Sequence, residues 1–213
     1  MEAVGICMDT IQLLGSTLGL SFLAGLRLYS TILVLGLGLH FGWLHAPGGF
    51  EQHAAILASP WVLGTASIAF MAEFLADKIP WVDTIWDTAH TFLRPIGAAF
   101  LGLAAFSSVD PALKAAVVIL CGGVALTSHS SKTATRMAIN QSPEPFSNIF
   151  TSLLGDLFVP FGVWFSFKYP LVVLAFVLVF LAGFVWMAPK VYRLFKRQWM
   201  MIRSRLAPPP VER

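Results

Sequence analysis

EFLADKIPWVDTIWDTAHTFLRPIG, running from Glu73 to Gly97, sets seven ionisable side chains between two strongly apolar runs. They are Glu73, Asp77, Lys78, Asp83, Asp87, His90 and Arg94, with Pro80 and Pro95 punctuating the backbone. Glu73 and Asp77 are one helical turn apart. Pro80 breaks the first helix, and Asp83 is suited to cap the next. On a helix the side chains at 83, 87, 90 and 94 fall within roughly 60° of one another. Residues facing lipid, or lying in a loop, have no reason to align in this way. At membrane depth each charge needs a partner, a water-filled cavity or a task.

The flanking sequence places the stretch in a membrane. The chain is 57% apolar and only 12% charged, against about 25% charged in an ordinary soluble domain. Long apolar runs, rather than short alternating ones, indicate helices and not a β-barrel. The expected fold is all-α: a polytopic helical membrane protein with about six to seven hydrophobic segments. One membrane domain is expected over 1–189, followed by a basic tail over 190–213. That tail holds Lys190, Arg193, Lys196, Arg197, Arg203, Arg205 and Arg213 against the single acid Glu212. Such an excess after an apolar helix predicts a cytoplasmic C-terminus, in a bacterial inner membrane, with anionic lipid headgroups as partners of the tail. Topology accounts for the basic residues, so no nucleic-acid partner is expected. Glu2 and Asp9 precede the first basic residue, Arg27. The N-terminal run therefore lacks the basic start of a signal peptide and is expected to remain in the mature protein. Cys7 and Cys121 form no metal or redox motif.

Along the chain, residues 10–44 are too long for one span and are interrupted at Gly25-Leu26-Arg27. A helix over 10–25, short enough to be a half-helix or re-entrant, and a second over 28–44 are expected, with one long tilted helix as the alternative. HAPGGFEQH, 45–53, reads as a loop; His40, His45, Glu51 and His53 are solvated there rather than metal ligands. Residues 54–76 read as one span, and Pro95 opens a further run to Phe106. After 112–126 the chain turns polar in TSHSSKTATRMAIN (127–140), where His129, Lys132, Arg136 and Asn140 share a helix face. Residues 146–168 enclose Asp156, and 170–187 carry no charge. FLAD (74–77) echoes LLGD (153–156), which suggests repeat halves over about 10–106 and 112–188 and an inverted-repeat plan with broken helices.

Three groups of residues together resemble a known family. They are Gly25-Leu-Arg27; Glu73-x3-Asp77-Lys-Ile-Pro-Trp-Val-Asp83-x3-Asp87-x2-His90-Thr-x2-Arg94-Pro95; and Lys132-x3-Arg136-x3-Asn140-x-Ser-Pro-Glu-Pro-x-x-Asn148. Over about residues 10–188 the chain is similar to the integral-membrane family catalogued as domain of unknown function 4126. The resemblance implies a fold grouping and no activity. The chain departs from it at Gly155-Asp156, where an acidic pair is common, and at Leu28-Tyr29, where small residues are.

The chemistry admits several functions. Asp83, Asp87 and His90 could offer two carboxylates and an imidazole to Mg²⁺, Mn²⁺, Zn²⁺ or a proton. Arg27, Arg94, Lys132 and Arg136 could cradle an anionic group. A transporter or channel-like protein is the leading expectation, with Arg27, Glu73, Asp77, Asp83, Asp87, His90, Arg94, His129, Lys132, Arg136, Asn140 and Asp156 lining a pathway for a small ion or anionic solute. Proton coupling would run through Asp87 and His90. The alternatives are a metal-dependent intramembrane enzyme acting on a phosphate-containing lipid or a diphosphate, and a structural or assembly protein whose charges serve as buried ion pairs. An enzyme is the less favoured reading. The sequence names no cofactor. Gly36, Gly38, Gly42, Gly97 and Gly102 would permit close helix packing within one chain or in a homo-oligomer.

Overall fold

Arg27 ends one helix and begins another. In a computed structural model, which describes residues 2–45, 51–139 and 145–206, α1 (Glu2–Leu26) and α2 (Leu28–His40) meet at this single extended residue, φ −150° and ψ 95°. The remaining helices are α3 (Glu51–Leu57), α4 (Pro60–Ala76), α5 (Pro80–Ala105), α6 (Pro111–Ile139), α7 (Pro145–Lys168) and α8 (Pro170–Leu206). The described residues hold eight helices and no strand, one or two helices more than the sequence suggests.

The differences have local causes. α1 is longer than expected, beginning at Glu2: at 1.5 Å per residue its 25 residues extend about 37 Å. The expected span over 54–76 is divided because Ser59 caps α4, accepting from the Val62 N–H at 3.4 Å, and Pro60 occupies the first turn. Asp83 is not a cap. Ile79 takes that position, and Asp83 lies in the first turn of α5, where a carboxylate meets the positive end of the helix dipole. Pro95 sits inside α5 rather than opening a new helix. The polar 127–139 run simply continues α6. Gly42, φ 71°, supplies the left-handed residue that turns the chain after α2.

Residues sort by polarity in the order opposite to a soluble protein. Large apolar side chains point outward, with Trp61 87% and Ile119 73% exposed, while Arg27, Glu73, Asp77, Asp87, Arg94 and Arg136 are buried. In water this would be untenable; in a bilayer it is the expected arrangement. Pro111–Arg136, Phe150–Lys168 and Pro170–Lys190 are long and apolar enough to cross a membrane, and α2 and α4 are shorter apolar helices. The protein is a polytopic helical membrane protein.

The chain divides into two compact units, Met1–Val177 and Leu178–Arg213. In the first, α1 is the central element, packed on α5, α6 and α7, while α2 packs on α4 and α7. Small residues set the close approaches. A Cβ on Gly97 would meet Leu28, and one on Gly102 would meet Cys121. Gly25 lies tightest, against Ser128 Oγ and the backbone of Ala125. Helix propensity alone would make Gly25→Ala stabilising by about 1 kcal/mol. The collision with α6 reverses the sign, and a net loss of about 1–3 kcal/mol is expected in the unfolding equilibrium in mild detergent. In the second unit the described chain is the rest of α8, where Phe180 and Phe184 are in ring contact and Lys190 lies 2.9 Å above the Trp186 ring.

Candidate functional site

The α1–α2 break leaves carbonyls of the last turn of α1 without their usual helical donors. Arg94, from the middle of α5, answers one of them: its Nη1 donates to the Gly25 carbonyl at 3.2 Å. The same guanidinium pairs through Nη2 with Glu73 Oε1 at 2.8 Å and with Asp87 Oδ1 at 3.2 Å. Its Nη1 also donates to His129 Nδ1 at 2.6 Å. That bond takes the Nδ1 lone pair, so His129 carries its proton on Nε2 and donates to Thr91 Oγ1 at 3.2 Å. Thr91 in turn donates to the Asp87 carbonyl. His129 is thereby fixed as a neutral ring between α5 and α6.

Arg27 organises the neighbouring cluster. Its Nη1 lies 2.5 Å from Asp77 Oδ2 and its Nε 3.1 Å from Asp156 Oδ1. Nη2 donates to the Ser152 carbonyl at 3.0 Å and to Ser152 Oγ at 2.9 Å. The two aspartates of the FLAD and LLGD echoes thus converge on one guanidinium. The approach depends on Gly155, where a Cβ would come within 3.2 Å of Arg27 Nε. Lys78 reaches Ser152 Oγ at 3.0 Å and Asp156 Oδ2 at 3.8 Å while lying over the Phe74 ring.

Two cations of α6 join the clusters. Lys132 Nζ stands 3.9 Å from Asp77 Oδ1 and 3.6 Å from Asp87 Oδ1. Arg136 pairs with Asp77 Oδ2 at 3.3 Å and also with Asp83. Asp77, at the C-cap of α4 and fully buried, therefore meets three cations. The predicted stripe on α5 faces the predicted cationic stripe on α6, and Arg27, Glu73, Asp77, Asp83, Asp87, Arg94, His129, Lys132, Arg136 and Asp156 form one continuous network. With Lys78, five cations face five carboxylates, so the network is formally neutral. Each buried ion costs several kcal/mol in desolvation before its partners offset it.

Of the remaining predicted residues, one stands apart and one is not described. His90 turns away: its Nδ1–H donates to the Trp86 carbonyl at 2.7 Å, its Nε2 accepts from the Tyr29 hydroxyl at 3.2 Å, and its ring stacks on Trp86. Asn140 lies outside the described residues. The metal-binding triad of Asp83, Asp87 and His90 is not assembled, and among the described residues no three His, Cys, Asp or Glu side chains are placed to hold a metal. Asp83 is taken by Arg136, Asp87 by Arg94 and Lys132, and His90 by Tyr29 and Trp86.

Ser152 and Tyr29 join the site without having been marked in the sequence. Ser152 precedes Asp156 by one helical turn, and that spacing was the available signal. Tyr29 had none beyond its place next to the helix break. Among the described residues, several buried polar atoms have no hydrogen-bond partner: Glu73 Oε2, Arg94 Nε, Trp86 Nε1, Lys132 Nζ and Thr133 Oγ1. Native interiors leave few such atoms, and each calls for an explanation.

Fold and site define a helical membrane protein with a buried, charge-balanced polar core built on a broken helix. The profile described as Domain of unknown function (DUF4126) matches residues 14–190, and the chain belongs to that family. Comparisons with curated proteins and with solved structures returned no match.

Proposed function

We propose that the network is the closed form of a pathway that carries a small ion or an anionic solute across the membrane. The observation that carries this reading is the concentration of ten opposed charges at the α1–α2 break and along α4, α5, α6 and α7. Each buried ion costs several kcal/mol to desolvate, and apolar residues of similar volume often replace a buried pair without loss, so a structural role alone gains little from ten charges. Formal neutrality adds a mechanistic constraint: a charged guest must displace a partner from an existing pair or move with a compensating charge. Exchange or proton-coupled movement follows. His90, with one lone pair committed only to a tyrosine hydroxyl, is a group outside the ion pairs that can accept a proton.

The pairing also favours an internal two-fold relation. Arg27 of the first half meets Asp156 of the second, and Lys132 and Arg136 of the second half meet Asp77 of the first. Reciprocal contacts of this kind are what paired halves produce. The basic residues following the last apolar span support a cytoplasmic C-terminus, in a bacterial inner membrane, with anionic headgroups around the tail.

The reading is tested in proteoliposomes. Asp87→Asn leaves Arg94 paired with Glu73, so the fold should persist while flux of inorganic ions or carboxylates, driven by a pH gradient, falls about tenfold or more. Unchanged flux in a correctly folded variant would contradict the pathway. If wild-type vesicles move no charged solute at all, the structural reading, favoured by the near-complete pairing of the ten charges, takes its place.

A further inference from the structure

We infer that the α1–α2 break is a two-state junction, about which α2 swings with α4 and uncovers the network. The inference names the moving part of the proposed pathway, and its part in flux rests on that reading.

The break has no local cause. Prolines hold the first position of α4, α5, α6, α7 and α8: Pro60, Pro80, Pro111, Pro145 and Pro170. Each resists fusion with the helix before it, because proline has no N–H and its ring meets the carbonyl four residues back. α2 begins with Leu28 instead, and its N-cap residue, Arg27, makes no side-chain cap. Leu26, Arg27 and Leu28 are all good helix formers. A single residue, at φ −150° and ψ 95°, keeps the two helices apart. Rotation of that residue to about −63° and −42° would run α1 into α2.

Tertiary contacts hold the break open. In a continuous helix the Gly25 carbonyl would accept from the Tyr29 N–H. Here it accepts from Arg94 Nη1 at 3.2 Å. Arg27 is fastened to Asp77, Asp156 and Ser152. Both guanidiniums belong to the charged network, so the junction and the network share their contacts. A change that draws Arg94 off Gly25 returns that carbonyl to the backbone, and two arrangements of one element become available to the same residues.

Packing decides which side moves. The end of α1 is fixed on α6: a Cβ on Gly25 would meet Ser128 and Ala125, and Ser128 Oγ donates to the Phe22 carbonyl at 2.9 Å. α4 packs chiefly on α2 and lightly on α5, and a Cβ on Gly36 would meet Leu63 of α4. Arg27 and Asp77, paired at 2.5 Å, bring the start of α2 and the end of α4 to one base. Two contacts latch this pair of helices to α5. The Tyr29 hydroxyl donates to His90 Nε2 at 3.2 Å, and Glu73 Oε1 meets Arg94 Nη2 at 2.8 Å. An outward swing releases both.

Pulsed dipolar EPR on the full chain in phosphatidylcholine vesicles tests the junction. Nitroxides are placed at Ile68→Cys on α4 and Ile119→Cys on α6, both exposed, in a Cys7→Ser/Cys121→Ala background. Removing the latches with Tyr29→Phe/Glu73→Gln is expected to produce a second distance beside that of the latched form. Tyr29→Phe alone removes one hydroxyl and should raise the second population roughly two- to tenfold over wild type, which keeps the test decisive if the double variant does not fold. Adding Leu28→Pro should suppress the second distance, since a proline inside the rejoined helix shifts the equilibrium roughly a hundredfold toward the break. Leu28→Ala loses the same packing against Gly97 without barring the helix, and should retain the second distance. One unchanged distance in the wild type and both latch variants overturns the inference, as does a second distance that survives Leu28→Pro. The outcome separates from that of the pathway. Flux with one unchanging distance removes the junction and leaves the pathway, whereas two distances without flux remove the pathway and leave the junction.

Discussion

Arg94→Leu is expected to lower the unfolding free energy by about 3–5 kcal/mol, the range for breaking a buried ion pair from one side. Glu73 is fully buried, and among the described residues Arg94 is the one cation within pairing distance of it. Removing the guanidinium strands that carboxylate and also withdraws the donors to the Gly25 carbonyl and to His129 Nδ1. Asp87 is less affected because Lys132 remains beside it. The double variant Arg94→Leu/Glu73→Leu should regain most of the loss, since apolar residues of similar volume often replace a buried pair without penalty. A double-mutant cycle in detergent reads the coupling directly. A loss below about 1 kcal/mol in the single variant would mean that the Glu73 carboxylate finds another partner or water.

Asp77→Asn should cost stability and flux together, by a different route. Asp77 stands against Arg27, Lys132 and Arg136. Neutralising it leaves the network with one uncompensated positive charge and brings three cations into mutual repulsion. Each retains a partner, respectively Asp156, Asp87 and Asp83, so the loss should lie near the lower end of the range for buried pairs, about 3 kcal/mol. Adding Lys132→Met restores neutrality and should restore stability. It should not restore flux if Lys132 takes part in solute movement. Recovery of both together would reduce Lys132 to a balancing charge.

Helical periodicity explains why so much of the site was legible. The residues at 83, 87, 90 and 94, and those at 129, 132 and 136, had to form faces once their segments were helical. Gly25-Leu26-Arg27 interrupted an apolar run at the point where the chain breaks. Periodicity gives a face but not its partner. That Asp77 and Asp156 meet on Arg27 depends on how α1, α4 and α7 cross, and those crossings are set by contacts remote in sequence, such as Gly155 against Arg27 and Gly25 against Ser128. His90 shares the stripe of the carboxylates. At about 100° per residue, however, it lies at one edge and Asp87 at the other, and that edge faces Tyr29 on α2 rather than α6. The metal triad failed for the same reason. The split between α3 and α4 was readable in Ser59-Pro60, where a cap and a proline outweigh continuous apolarity.

The central claim is that the closed network opens to water on the way across the membrane. Lys132→Cys, in a Cys7→Ser/Cys121→Ala background, tests it most directly, because Asp77 and Asp87 each keep an arginine in that variant. Membrane-impermeant thiol reagents are added from one side and then from the other to vesicles of fixed orientation, and modification is followed by mass spectrometry. The thiol of the folded protein is expected to react, from each side in turn, and a saturating transported solute is expected to protect it. A cysteine that stays unmodified from both sides until the protein is unfolded would contradict it and leave the ten charges as a structural core.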